Sequence, residues 1–263
     1  MMELEDLVPK EPDWLPKQTI LLGKTGSHAY GTATKDSDLD FKGIVIPPPS
    51  YFLGLDSFTH YDKKDGANVK NKAGDIDVTL LHINKFVLDC LAGTPNNLEL
   101  LFLEEDDYVH LDHRGLELIS IREQFLSKQV MKKFGGYAKS QTAKMKDLKS
   151  NGAARADLVE KYGYDTKFYM HTVRLYTMAI EILTEHTLSV RRPNAKFLLE
   201  LREGCHTLEQ ALANIELFER LLQVAYKQST LRDVPDINYI GKWLVDFNTR
   251  HSVDAFRQEE EME

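Results

Sequence analysis

Beyond His113 the β-branched runs that mark the earlier strands disappear, and the chain reads as successive helices. That single transition restricts the chain to an α+β arrangement, with the sheet built early and the helices added afterwards. From residue 18 to about 109 the punctuation is that of short strands and turns. Thr19-Ile20-Leu21-Leu22 reads as a buried strand entering a glycine turn. Residues 39–46 read as a second strand, stopped by Pro47-Pro48-Pro49. Residues 61–74, rich in Lys, Asp, Gly and Asn, read as a solvated hairpin loop, and 75–80 alternate as a third strand. Helical spacing begins at Asn84, with Phe86, Val87, Cys90 and Leu91 on one face, and 95–101 form a further short helix. Beyond His113 the pattern predicts helices over 115–125, 130–149, 165–186, 194–203, 207–227 and 236–248. Residues 151–163 read as a connection opening on an Asn151-Gly152 turn, and 259–263 as a solvated acidic tail. The expected organisation is a small α+β domain over 1–110 and a helical domain over 111–263.

With 263 residues, 42% of them apolar and 28% charged, the chain is long enough for cores of this kind and has the composition of a folded protein. Its net charge of −8 gives no general attraction for nucleic acid, although local charge matters more than the total in an extended site. Cys90 and Cys205 stand far apart and outside any Cys/His cluster, which argues against a zinc site or a disulfide framework. No apolar run approaches the roughly 20 residues that cross a bilayer. The acidic segment Met1-Met2-Glu3-Leu4-Glu5-Asp6 lacks the basic flank of a signal peptide, so a cytoplasmic, non-membrane protein is expected.

The chemistry concentrates between the first two strands. Asp38 and Asp40 are two residues apart on a strand, so they project from one face and can share divalent metal ions. A third carboxylate from a neighbouring strand would complete an oxygen-rich site. Asp77, flanked by Ile76 and Val78, is the leading candidate, and Asp75 shares its parity. Upstream, Gly26 removes a side chain where a phosphate must approach the backbone, and Ser27 adds a hydroxyl at the first turn of a short helix. Asp36-x-Asp38-x-Asp40 imitates the opening of a calcium loop, but position six is Phe41 where Gly is needed and position twelve is Pro47 where Glu is needed. No G-x-x-x-x-G-K-[ST] phosphate loop occurs.

A strand, Gly26-Ser27, a turn and then Asp38-x-Asp40 resemble the nucleotidyltransferases of the DNA polymerase beta superfamily. The ordered set Gly26-Ser27-His28-Ala29-Tyr30-Gly31-Thr32, Ser37-Asp38-Leu39-Asp40-Phe41-Lys42-Gly43-Ile44 and Asp77-Val78-Thr79 resembles in particular the RNA repair pathway polymerase-beta-like family, RlaP. So do Gly93-Thr94-Pro95-Asn96-Asn97-Leu98-Glu99-Leu100-Leu101-Phe102, Tyr164-Asp165-Thr166-Lys167 with His171 and Arg174-Leu175, and Ser189-Val190-Arg191-Arg192-Pro193. The resemblance runs from about residue 18 to about 235. It implies a small mixed-sheet polymerase-beta-type core followed by the helical domain. It also implies transfer of a nucleoside monophosphate from a nucleoside triphosphate to an acceptor hydroxyl, with release of pyrophosphate. On the resemblance, Gly26 and Ser27 hold the triphosphate, Asp38 and Asp40 hold two Mg2+ ions (or Mn2+), and Asp77 joins the metal at the attacking hydroxyl and can accept its proton.

Lys167, His171 and Arg174 are spaced to form one polar stripe on a helix, which can bind nucleotide phosphates or the acceptor backbone. Lys128, Lys132, Lys133, Lys139, Lys144, Lys146 and Lys149, interrupted by Asp147 and interleaved with Phe134 and Tyr137, form the most basic segment of the chain. Arg191 and Arg192 extend it as a track for RNA phosphates. An RNA end, such as that of a transfer RNA, is the expected acceptor. A small molecule or protein acceptor, or a nucleotide- or RNA-binding module without turnover, are the alternatives. Base preference and oligomeric state have no sequence signal.

Overall fold

Strand β1 (Thr19–Thr25) forms because Thr19, Ile20, Leu21 and Leu22 place branched side chains at positions almost wholly removed from water. The computed structural model describes residues 2–64, 74–146, 156–254 and 256. Two short helices, α1 (Leu4–Leu7) and α2 (Trp14–Lys17), precede β1. After β1 come the five-residue helix α3 (Gly26–Tyr30), β2 (Leu39–Val45), α4 (Ser50–Leu53), β3 (His60–Lys64) and β4 (Ile76–His82). Helices α5 (Ile83–Leu91) and α6 (Pro95–Leu101), strand β5 (Tyr108–Leu111) and α7 (His113–Ser120) follow.

The five strands make one mixed sheet in the order β3-β4-β2-β1-β5. β2 and β4 are parallel, and the other neighbouring pairs are antiparallel. On one face Leu22, Phe41, Val45, Val78 and Leu80 pack with Leu7, Val8 and Leu15 of the amino-terminal segment. Each such side chain, fully buried, contributes about 1.5–3 kcal/mol. Because strand side chains alternate, that packing turns Asp40, Lys42, Asp77 and Thr79 to the opposite face.

By internal contacts the chain forms two units. The sheet unit comprises the chain through Leu91, residues Asn96–Phe125, and the carboxy-terminal stretch from Asp236. That last stretch carries α13 (Ile237–Asn248), numbered after the five helices of the second unit, and a π-helical turn, Thr249–Asp254. Asn248 Nδ2 donates to Asn84 Oδ1 at 2.8 Å, Ser252 Oγ donates to the Pro47 carbonyl at 2.9 Å, and Arg250 pairs with Glu117 at 2.6 Å. Three polar contacts thus tie α13 and the turn after it to α5, to the segment just past β2 and to α7.

The second unit contains α8 (Val130–Lys146), α9 (Ala156–Tyr162), α10 (Thr166–Glu185), α11 (Ala195–Arg202) and α12 (Leu208–Gln228). Asp165 caps α10 by accepting from the Lys167 and Phe168 amides, and Thr207 and Gln210 close a reciprocal capping box on α12. α10 is the central helix: Tyr169, Met170, Val173, Leu175, Tyr176, Ala179, Ile182 and Leu183 are all buried. Among the described residues, no helix is long and apolar enough to cross a membrane.

The fold is therefore a mixed sheet with helices, as expected, but the sheet has five strands where three were read, and Tyr108–Leu111 is one of the two added. His60–Lys64, of which 61–64 were read as the start of a loop, is an edge strand paired with β4. Ala156–Tyr162, read as part of a connection, is helical. Residues 65–73, 147–155 and 259–263, which include Asp147, Lys149, the Asn151-Gly152 turn and the acidic tail, lie outside the described residues.

Candidate active site

The backbone register brings the aspartates together. Asp40 on β2 is the direct neighbour of Asp77 on parallel β4, and Thr25 at the end of β1 is the neighbour of Asp40 on its other side. Asp38, just ahead of β2, shares the parity of Asp40. One carboxylate oxygen from each of Asp38, Asp40 and Asp77 can be chosen so that all three lie within 4.8 Å of one another. Asp75 precedes β4, where its carbonyl accepts from the Leu39 amide at 2.9 Å, and it is not part of this cluster. Three half-buried carboxylates this close repel one another, and hard oxygen donors of this kind are the set that Mg2+ or Mn2+ uses.

The glycine turn sits directly against the cluster. Gly26 has φ +65°, a left-handed conformation that disfavours any side chain. A Cβ built there would lie 2.2 Å from Asp40 Oδ2. Glycine is thus required twice at this position, by its dihedral and by the carboxylate beside it. Ser27 follows in the first turn of α3, and its Oγ is covered without a hydrogen-bond partner among the described residues. Gly31, at φ 74°, ends α3 in the same left-handed conformation.

A cavity of about 320 Å³ opens over this part of the sheet, lined by Thr25, Gly26, Tyr30, Asp40, Lys42, Lys64, Asp77, Thr79, Asn96 and Glu99. Several of these were not singled out from sequence. Lys42 is two residues beyond Asp40 on the same strand face and is in register with Thr79, so strand parity was the signal that could have found both. Lys64 is in register with Asp77 across the edge strand. Tyr30 and Glu99 stand in the stretches that carry the resemblance, but nothing local joins them: the Tyr30 hydroxyl donates to Glu99 Oε2 at 2.6 Å across 69 residues of sequence. The Lys42 ammonium donates to Asn97 Oδ1, and Asn97 Nδ2 donates to Asp89 at 3.0 Å. Burial pushes the Lys42 pKa below the usual lysine value, and the nearby Glu99 carboxylate opposes that shift.

The remaining candidates belong to the helical unit. Lys167, His171 and Arg174 all lie on α10, as the spacing requires. Lys167 and His171 are half-buried, but Arg174 is buried at 4% exposure and directs Nη1 to Met178 Sδ at 3.3 Å, so the three do not form one solvent-facing stripe. On α8, Lys132 and Lys133 are exposed, whereas Lys139 pairs with Glu219 of α12 at 2.6 Å. Arg191 is exposed. Arg192 is not the surface cation that its sequence context suggested: it is buried and its guanidinium is held by Glu181 and the Ser189 carbonyl. A buried, paired guanidinium is a structural link within this unit rather than a phosphate contact.

The chain is similar to known proteins. A match 29% identical over 145 residues is to an uncharacterized 38.9 kDa protein in the nrdC-mobD intergenic region of Enterobacteria phage T4, covering 54% of this chain and 43% of that protein. The chain thus matches less than half the length of this curated relative. A solved nucleotidyltransferase-like protein from Exiguobacterium sibiricum 255-15 is similar over 80% of this chain and 68% of its own, at 10% identity and a TM-score of 0.28. The family model described as RNA repair pathway DNA polymerase beta family matches residues 2–246. The chain belongs to that family.

Proposed function

We propose that this chain uses divalent metal to transfer a nucleoside monophosphate from a nucleoside triphosphate to a hydroxyl at an RNA end. The acceptor oxygen bonds to the α-phosphorus, the bond to the bridging oxygen of the β-phosphate breaks, and pyrophosphate leaves. The observation that carries this reading is the convergence of Asp38, Asp40 and Asp77 beside the Gly26 backbone, with Gly26, Asp40 and Asp77 lining one cavity. Asp38, Asp40 and Asp77 would hold Mg2+ or Mn2+, which supplies charge neutralisation at the phosphates and a lower pKa at the attacking hydroxyl.

The side chains divide the remaining work. Gly26 leaves room for a phosphate oxygen to approach the backbone, and the Ser27 hydroxyl offers a donor. A covered hydroxyl with no internal partner carries a desolvation cost of about 1–3 kcal/mol, which a ligand oxygen would relieve. Asp77 would take the proton of the acceptor hydroxyl.

RNA is favoured as acceptor by the family's RNA repair description and by the exposed pair Lys132 and Lys133, with Arg191 as a further phosphate contact. A cytoplasmic setting suits the two free cysteines, Cys90 and Cys205. The test uses nucleoside triphosphates labelled at the α- or the γ-phosphate, incubated with purified protein, Mg2+ or Mn2+ and cellular RNA. Label from the α-position alone should enter RNA, and Asp38→Ala should abolish it. Label from the α-position transferred to protein or to a small-molecule acceptor would redirect the acceptor assignment. Equal incorporation by Asp38→Ala would refute the site.

A further inference from the structure

Around the candidate site, two hydrogen bonds close a ring that begins and ends at Asp40. Gly26 lies against the Asp40 carboxylate, and α3 runs from Gly26 to Tyr30. The Tyr30 hydroxyl donates to Glu99 on α6 at 2.6 Å. Asn97, on the same helix, accepts from Lys42, which returns along β2 to Asp40 two residues away. Tyr30, Asn97 and Glu99 are at most 6% exposed, and the Lys42 ammonium interacts favourably with the Glu99 carboxylate.

We propose that Lys42, Tyr30 and Glu99 are positioning residues that set the gap between the Gly26-Ser27 turn and the Asp40 carboxylate. This inference rests on the assignment of Asp40 to a metal site. The physical argument is that these bonds give both sides of that gap a common support. α3 is a single five-residue turn between two left-handed glycines, and a helix so short has little stability of its own. The Asp40 side chain, for its part, is repelled by Asp38 and Asp77. Anchoring the far end of α3 to α6, and α6 to the strand carrying Asp40, places both sides of the gap on one rigid frame. Buried hydrogen bonds to charged partners are suited to this, because in a low-dielectric surrounding they hold geometry more stiffly than exposed ones. Lys42 also brings positive charge onto the sheet face that carries the aspartates.

The test compares Tyr30→Phe, Lys42→Met, Lys42→Arg and the double variant Tyr30→Phe/Lys42→Met with the unsubstituted protein. Mn2+ affinity, kcat and KM for the nucleoside triphosphate, and urea unfolding are measured for each. Tyr30→Phe is the variant least able to disturb folding, since it removes one oxygen. Tyr30→Phe and Lys42→Met should each lose about tenfold or more in Mn2+ affinity and more in kcat than in KM, as expected for misplaced ligands. The double variant should lose little more than the worse single one, and Lys42→Arg should recover part of the loss. Variants that unfold more easily but retain Mn2+ affinity and kcat within about twofold, a margin well below the loss expected of a misplaced ligand, would overturn the inference and leave the metal site standing. An unsubstituted protein that binds no Mn2+ would overturn the metal-site reading itself, and this inference with it.

Discussion

Gly26→Ala isolates the contact on which the geometry of the site depends most. The added methyl would stand 2.2 Å from Asp40 Oδ2, and real Cβ contacts essentially never fall below 3.0 Å. The difference, 3.0 less 2.2, means that the carboxylate or the turn must retreat by about 0.8 Å. The left-handed backbone at φ +65° adds about 1–2 kcal/mol for a residue with a Cβ. Mg2+ tolerates little departure from octahedral distances, and a displacement near 1 Å in a catalytic constellation costs about 100-fold in rate. Gly26→Ala should therefore reduce nucleotidyl transfer by about 100-fold while lowering unfolding free energy by only about 1–2 kcal/mol. Gly136→Ala is the matched control. It lies within α8 with nothing inside 4 Å of its would-be Cβ, and should leave transfer unchanged while adding about 0.5–1 kcal/mol of stability. Urea unfolding and single-turnover transfer measure both quantities. Wild-type transfer rates in Gly26→Ala would refute the argument that this glycine and Asp40 form one site.

Three further outcomes follow from particular residues. Asp38→Asn removes one of three mutually repelling charges, each pair worth about 1 kcal/mol even at the dielectric constant of water. It should raise thermal stability without metal and abolish the additional stabilisation by Mn2+, and a variant that still gains stability from Mn2+ would contradict the ligand assignment. His82 is held neutral by burial, its pKa pushed down to about 4 from 6.5. Between those values the unfolded chain binds a proton that the folded chain does not. Stability therefore falls as pH drops from about 6.5 towards about 4. His82→Gln should flatten that limb of a pH series of urea midpoints, and an unchanged slope would remove His82 as the cause. Lys132→Glu with Lys133→Glu should weaken RNA binding and reduce the slope of log affinity against log salt by about 1.5, whereas an unaltered slope would detach α8 from RNA.

Legibility in the sequence depended on whether the determining interactions were local. β1, β2 and β4 were readable because Leu21, Ile44, Val78 and Leu80 are fully buried in runs bounded by clear turn residues. β3 was hidden because it is an edge strand whose residues, His60 to Lys64, alternate between exposed and half-buried and include Asp62, Lys63 and Lys64. Such charge is what protects an edge from further pairing, and in sequence it looks like a loop. α9 was masked by the adjacent Asn151-Gly152 signal. The return of α13 to the sheet unit could not be read, because an amphipathic pattern does not specify which core a helix joins.

The candidate site divides along the same line. Asp38, Asp40 and Asp77 follow from strand parity and one parallel pairing. Lys42 carries the same parity but was not distinguished, and its partner Asn97 lies 55 residues away. The misreading of Arg192 has the converse cause. Two consecutive arginines before a proline resemble a basic surface track, while the buried acceptor, Glu181, lies on the preceding helix, α10.

Anomalous scattering from a crystal grown with Mn2+ and a non-hydrolysable nucleoside triphosphate tests the central claim most directly. The account predicts manganese peaks coordinated by Asp38, Asp40 and Asp77, with the triphosphate beside Gly26 and Ser27 and no peak at that position in Asp38→Ala. Manganese or nucleotide bound elsewhere, with these three aspartates uncoordinated, would contradict it.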